Sequence, residues 1–275
     1  MSFLKKSKKQ NKSDNTKNWQ LRLGIVLVSV VTLLVVVGLF WTPYEPTAMS
    51  AALKNKPPSL THPLGTDYMG RDVLSRVMDG AGTTFFIGVA TVLIGLVLGT
   101  LLGAFTGYYG GIVDELLMRL NDTLTSMPSI LLALVFVSII GTGKYNIIIA
   151  LGVIFIPSFA RVVRSEYLVQ KEMDYVRNAK LLGAGNLRIM FVHILPNTKS
   201  ILLSTITIGL NNAILAEAGM SYLSLGVQPP DASLGRMLSE AQGYLLSSPW
   251  MALAPGMMIV LTVLGFSLIS ENLKN

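Results

Sequence analysis

Residues able to carry chemistry are few and scattered in this chain. The 275 residues include two histidines, His62 and His193, and no cysteine. Thiolate catalysis, zinc–cysteine sites and iron–sulfur clusters are therefore excluded. His62 opens the run His62-Pro63-Leu64-Gly65-Thr66-Asp67, and Gly70-Arg71-Asp72-Val73-Leu74-Ser75-Arg76 follows. One imidazole and the two carboxylates of Asp67 and Asp72 could form a ligand site. The plainer reading is an ordered lid, in which Pro63 and Gly65 set a turn and Asp67 caps a short helix. In that lid Asp72 and Arg76 pair on one helix face. Asn211, Asn212 and Glu217 form a second polar group in otherwise apolar sequence. They could line a polar route or bond between helices. Gly141-Thr142-Gly143-Lys144 lacks the spacing and the following Ser/Thr of a phosphate-binding loop. Neither H-E-x-x-H nor G-x-S-x-G occurs. No catalytic residue and no metal-ligand set is assigned, and the chain is not read as an enzyme.

The elements that must position these groups are hydrophobic. Charged residues make up 13% of the chain, against roughly 25% in soluble domains, and mean hydropathy is +0.57. A helix needs about 20 apolar residues to cross a bilayer. Uncharged runs at 24–41, 80–113, 123–143, 145–160, 200–216 and 241–270 give six candidate spans. None alternates as a barrel strand would. With the N-terminus inside, 16 of the 22 Lys and Arg fall in inner segments, so both termini are expected in the cytoplasm. The first run exceeds the apolar core of a signal peptide and is read as a retained anchor. The Lys-rich tail before it suits anionic lipid better than nucleic acid, and no nucleic-acid partner is expected.

Three loops are too long for simple connections. The outer one, at 42–82, is the lid. The inner one, at 161–199, contains Asp174, Tyr175, Val176, Arg177, Asn178, Ala179, Lys180, Leu181, Leu182, Gly183, Ala184 and Gly185. Val176, Ala179, Leu182 and Gly183 recur as a helical stripe opposite Arg177 and Lys180, and the glycines end it. Such a helix either docks a soluble partner or lies on lipid. The third loop, at 219–249, has the Leu/Gly/Pro composition of a re-entrant scoop. Within the second span Gly95, Gly99, Gly103 and Gly107 make one flat stripe, the signature of close helix packing.

Four of these segments, in order, resemble one family. The stretch 174–197 resembles the conserved cytoplasmic loop of type I ABC importer permeases. The lid at 62–76, the run Gly107-Tyr108-Tyr109-Gly110-Gly111 with Asp114, Arg119, Asp122 and Pro128, and 215–230 resemble the dipeptide/oligopeptide/nickel permease subfamily. The resemblance implies an all-α integral membrane protein of about six transmembrane helices with a cytoplasmic coupling helix. Its parts would be a basic tail (1–22), a first span (23–41), the lid (42–82) and a five-helix core (83–275). It also implies a multi-pass protein of the bacterial plasma membrane, forming half of a pathway with a second, homologous permease subunit. Two cytoplasmic ATPases would use ATP and Mg, an extracellular binding protein would deliver solute, and this chain would bind no cofactor. The cargo would be short peptides or small metal chelates of the nickel or cobalt metallophore type. The coupling contacts would fall on Asp174, Tyr175, Val176, Arg177, Ala179, Leu182, Gly183 and Ala184. Where the family usually has Glu-Ala-Ala, this chain has Arg177-Asn178-Ala179, so either the matching ATPase groove would carry a compensating acid or Asp174 would serve. The alternative is an ATP-independent secondary carrier or channel.

Overall fold

The computed structural model describes the backbone from residue 2 to 273 and the side chains from 19 to 272. The basic residues expected on lipid at 1–17, and Lys274, lie outside the described side chains. Nine helices carry the account: α1 (Ser2–Phe40), α2 (Val73–Tyr109), α3 (Gly111–Thr125), α4 (Ser129–Ile140), α5 (Lys144–Gln170), α6 (Asp174–Leu181), α7 (Asn186–Tyr222), α8 (Leu234–Ala241) and α9 (Trp250–Leu273). Five of them are long and apolar enough to cross a membrane, or six spans if α3 and α4 count as one. Residues 1–83 with 230–275 form one compact unit and 84–229 another. This division cuts across the expected separation of lid and core, because the last span belongs with the lid and α1.

In the first unit α1 packs along α9. A side chain at Gly24 would begin 2.9 Å from Leu268 Cβ, and one at Gly265 2.8 Å from Val28 Cγ2. Small residues therefore let these two spans touch at backbone distance. The lid is held by buried ion pairs. Asp67 Oδ2 accepts from Arg71 Nε (2.6 Å) and Arg76 Nη1 (2.7 Å). Glu240 Oε2 on α8 accepts from both arginines, at 2.9 and 2.8 Å. Burial acts to lower the Arg71 pKa, but Asp67 and Glu240 outweigh it and hold the guanidinium above its ordinary value. The expected Asp72–Arg76 pair does not form. Asp72 is the true helix cap: its Oδ2 accepts from the Ser75 N–H (2.8 Å) and hydroxyl (2.7 Å). Its Oδ1 meets His62 Nδ1 at 2.9 Å. The cap lies at Asp72 rather than Asp67 because Asp67 Oδ1 is taken by the N–H groups of Met69 and Arg71.

The third and fourth expected spans are also redrawn. The uncharged run 123–143 is not one helix. Pro128 interrupts it, since the residue before a proline avoids helical backbone, and the two pieces meet at 91°. At 12 residues α4 is too short to cross alone. In contrast, α5 continues past the expected end at Ala160 to Gln170, so the inner loop starts ten residues later than its charge pattern suggested. Pro157 interrupts its ladder by lacking an N–H, and Asn121 Nδ2 donates to the Pro157 carbonyl at 3.3 Å. The third loop holds more helix than expected. Its Ser233 caps α8 by accepting the Arg236 N–H at 3.2 Å.

The centre of the second unit is the contact of α2 with α5. A Cβ at Gly95 would fall 2.8 Å from Phe155 Cβ, and one at Gly99 2.6 Å from Phe159 Cβ. At Gly103 it would fall 2.5 Å from the Ala160 carbonyl, and at Gly107 2.6 Å from Tyr167 Cβ. The obstacle at Gly103 is backbone, which cannot swing aside. Gly103→Ala is therefore expected to destabilise the protein by about 1–3 kcal/mol, the usual cost of overpacking. Gly82→Ala, whose new methyl meets nothing nearer than 3.7 Å, should be neutral or slightly stabilising. Thermal unfolding of both variants in detergent checks the contrast.

Candidate functional site

The α2–α5 contact carries a platform for α6. Ala104 of α2 and Val163 and Tyr167 of α5 are buried with Val176 and Ala179 of α6 and Ile189, Met190 and Ile194 of α7. Tyr167 is fully buried, and its hydroxyl donates to the Met190 carbonyl at 2.9 Å. Lys171 Nζ donates to the Gly107 carbonyl (3.1 Å), closing the end of α2 against the end of α5. Arg164 makes a two-pronged pair with Asp114 of α3, Nε to Oδ1 at 2.5 Å and Nη2 to Oδ2 at 2.6 Å. Parallel N–H···O bonds of this kind fix orientation as well as distance. On α7 the first turns are wider than α-helical from Ile189 to Ile194. Wide turns of this kind are frequent at functional sites.

On α6 itself Val176 and Ala179 face inward, while Asp174, Arg177, Asn178 and Lys180 are exposed. Tyr175 is half-buried and its hydroxyl donates to Gln170 Oε1 at 2.9 Å. Arg177 stands 3.6 Å from Glu172 and 3.8 Å from Asp174, all in solvent. Exposed pairs of this length hold little, so Arg177 is available to another molecule.

The helix ends in a defined cap. Gly183 takes φ +81°, its N–H donates to the Lys180 carbonyl, and the Ala184 N–H donates to the Ala179 carbonyl, each at 3.0 Å. This is the paired 5→2 and 6→1 pattern of a Schellman end, with Ala184 packed against the cluster under Ala179. Leu182 departs from the expected stripe. It sits at the cap, where the chain has already turned, and is 88% exposed, beside Leu181 at 85%. Two bare leucines at the tip of a helix whose other face is locked down form an apolar knob.

The polar group of Asn211, Asn212 and Glu217 separates. Asn212 borders a cavity of about 350 Å³ between α4, α5 and α7. Asn211 Oδ1 is buried without a hydrogen-bond partner. Glu217 is fully buried and is not part of the cavity wall. Its Oε1 accepts the Ser221 hydroxyl at 2.6 Å, and Ser221 Oγ accepts the Val227 N–H at 3.1 Å. The bond Glu217 makes is along its own helix rather than between helices, and it ties down the turn after α7. His62 and Asp72 are spent on each other, and no group of three His, Asp or Glu that could hold a metal occurs among the described residues.

A family model described as the binding-protein-dependent transport system inner membrane component matches residues 95–274, from the glycine stripe through α6 to α9. The chain belongs to this family. It is 37% identical over 259 residues to the dipeptide transport system permease protein DppC of Haemophilus influenzae, covering 92% of this chain and 88% of that protein. It is 41% identical over 249 residues to the glutathione transport system permease protein GsiD of Escherichia coli, covering 89% and 82%. A chain from an inward-facing structure of the MetNI methionine ABC transporter superposes with a TM-score of 0.55 at 21% identity. That match covers 74% of this chain and 97% of the other, and it establishes the shared all-helical fold. The protein is thus a multi-pass inner membrane permease of an ABC importer and its non-catalytic component. A system of this type includes an ATPase, a paired permease and a solute-binding protein.

Gly183 is the residue that ends α6 where it does. Gly183→Ala is expected to weaken the cap by about 1–2 kcal/mol, the left-handed penalty of a side chain. Faster amide hydrogen exchange at Ala184 would report it. Gly185→Ala, at φ −68° in open space, should leave that exchange unchanged.

Proposed function

We propose that this chain is one of two homologous permease subunits of an ATP-driven importer of short peptides, and that α6 is the lever gripped by a cytoplasmic ATPase. The observation that carries the reading is the Leu181–Leu182 knob, exposed on a helix whose opposite face is buried against α2, α5 and α7. A lipid-lying helix would turn its apolar stripe outward along its length. Here Val176 and Ala179 face inward, the exposed side is polar, and the leucines are confined to one tip. That geometry suits insertion into a protein groove, with Arg177 and Lys180 flanking the entry. The charge distribution supports a cytoplasmic position for α6 and for both termini. ATP and Mg would be handled by two partner ATPases, an extracellular binding protein would deliver the solute, and lipid would cover the remaining apolar faces.

Peptide cargo is favoured because the similar permeases are named for dipeptide and glutathione transport. The metal-chelate alternative rests on resemblance alone. Since Arg177 stands where the family usually carries an acid, the ATPase groove is expected to present a carboxylate to it.

In the assembled importer, Leu181→Asp/Leu182→Asp is expected to abolish co-purification of the ATPase and peptide uptake while leaving the fold of the permease intact. Desolvating two carboxylates in an apolar groove is prohibitive. Pull-down and proteoliposome uptake read the two effects. Unchanged association and uptake would refute the docking role. Labelling of Asn186→Cys by an impermeant reagent from outside intact cells would overturn the topology.

A further inference from the structure

The cavity between α4, α5 and α7 has a polar lining that is entirely neutral. Several hydroxyls on the apolar helices are satisfied locally: Thr106, Thr205, Thr207 and Thr262 each donate to the carbonyl four residues back, at 2.7–2.9 Å, whereas Thr91 and Thr100 Oγ1 of α2 are buried without a partner. Ser129, Ser158 and Asn212 come from three different helices and all border this one cavity. All three are exposed on this chain, and none forms a hydrogen bond within it among the described residues, so each is open to a solute. Ser129 opens α4 and has no preceding helical turn to bond to. Ser158 directly follows Pro157, where the helical ladder is interrupted. Leu151 and Phe155 form apolar wall, and Ala216 leaves room. No charged side chain lines the space.

Such a set of groups selects a particular chemistry. An Asn side chain offers a paired donor and acceptor, the complement of a peptide-bond N–H and C=O. Two hydroxyls nearby can each give or accept one further bond. Without a charge on the wall, an ammonium or carboxylate terminus would be desolvated there with nothing to compensate it. Apolar walls that make no polar demands tolerate varied side chains.

We infer that this cavity is a transit subsite for the interior backbone amides of a short peptide, with Asn212 as the paired contact and Ser129 and Ser158 as supplementary ones. The inference rests on the proposed peptide cargo and adds the groups that handle it. It makes recognition at this point independent of side-chain identity.

The test uses the complete importer in proteoliposomes, with its binding protein and labelled Ala-Ala-Ala as probe. Asn212→Leu with Ser158→Ala is expected to lower uptake about tenfold, the loss of roughly one well-made hydrogen bond. ATP hydrolysis stimulated by the binding protein should stay within about twofold, because α6 is untouched, and Asn212→Gln should recover part of the uptake. Uptake unchanged in the double variant, with the wild type active, would overturn the subsite and leave the importer reading standing. A wild-type complex that moves neither Ala-Ala nor Ala-Ala-Ala would instead overturn the peptide reading. If the double variant fails to assemble, the wild type decides the matter: a tripeptide carrying a central photo-reactive residue should cross-link near Ala216. Transport without such cross-linking would count against the subsite.

Discussion

The backbone contact between α2 and α5 is the constraint on which the second unit depends. Two spans in lipid gain nothing from hiding apolar surface from one another, since the tails around them are equally apolar. They are held by close van der Waals contact, and contact this close requires that one helix have no side chains along its seam. Gly95, Gly99, Gly103 and Gly107 remove them over three helical turns, and Phe155, Phe159, Val163 and Tyr167 settle into the space. The last two of these are the floor on which Val176 and Ala179 rest. The position of α6 is thus fixed by the same seam that holds the spans together. Under the proposed coupling role, a displacement applied at its tip would pass into α5 through packed side chains, and from α5 into α3 through the Arg164–Asp114 pair. No ionisable group need change state along that route.

Charge in the lid is used for structure. The lid encloses Asp67, Arg71, Arg76 and Glu240 in mutual contact. Buried ions of this kind are costly to isolate and add little net stability as a set, but they fix geometry. The same holds for Asp72, which caps α2 and holds His62. The residues that looked most like a ligand cluster are consumed in placing one another. The polar side chains on the cavity wall, Ser129, Ser158 and Asn212, are neutral. A permease that must bind and release its cargo each cycle is better served by neutral hydrogen-bonding groups than by fixed charges, because a tightly held solute would not leave.

Much of this was legible in the residues. The glycine stripe and the end of α6 at Gly183 depend on local sterics, and one-dimensional spacing encodes local sterics well. Apolar length located the spans but not their joints. The run 123–143 carries no charge and reads as continuous, whereas Pro128 dictates a break that hydropathy averages away. Helix α5 runs beyond Ala160 because Arg161, Arg164 and Lys171 are satisfied by Asp122, Asp114 and the Gly107 carbonyl, all distant in sequence. Asp72 and Arg76 had the right spacing to pair and found better partners across the lid, in His62 and in Glu240, 164 residues away. Leu182 fitted the apolar stripe by number, yet the helix ends before it. For α5 and the lid the missing information was a tertiary partner; at Pro128 and Leu182 it was local backbone geometry that apolar periodicity does not register.

The central claim is that the tip of α6 is gripped by the ATPase. Cysteine cross-linking tests it most directly: Leu182→Cys in the assembled importer, with single cysteines placed along the groove of the partner ATPase and joined by a short bifunctional reagent. Efficient cross-linking at Leu182→Cys is expected, with yield changing between the nucleotide-free and ATP-bound states and none from Leu246→Cys, exposed in the loop expected on the opposite side of the membrane. Leu182→Cys that stays unlinked in a transport-competent complex, or that reacts instead with a bilayer-confined probe, would contradict it.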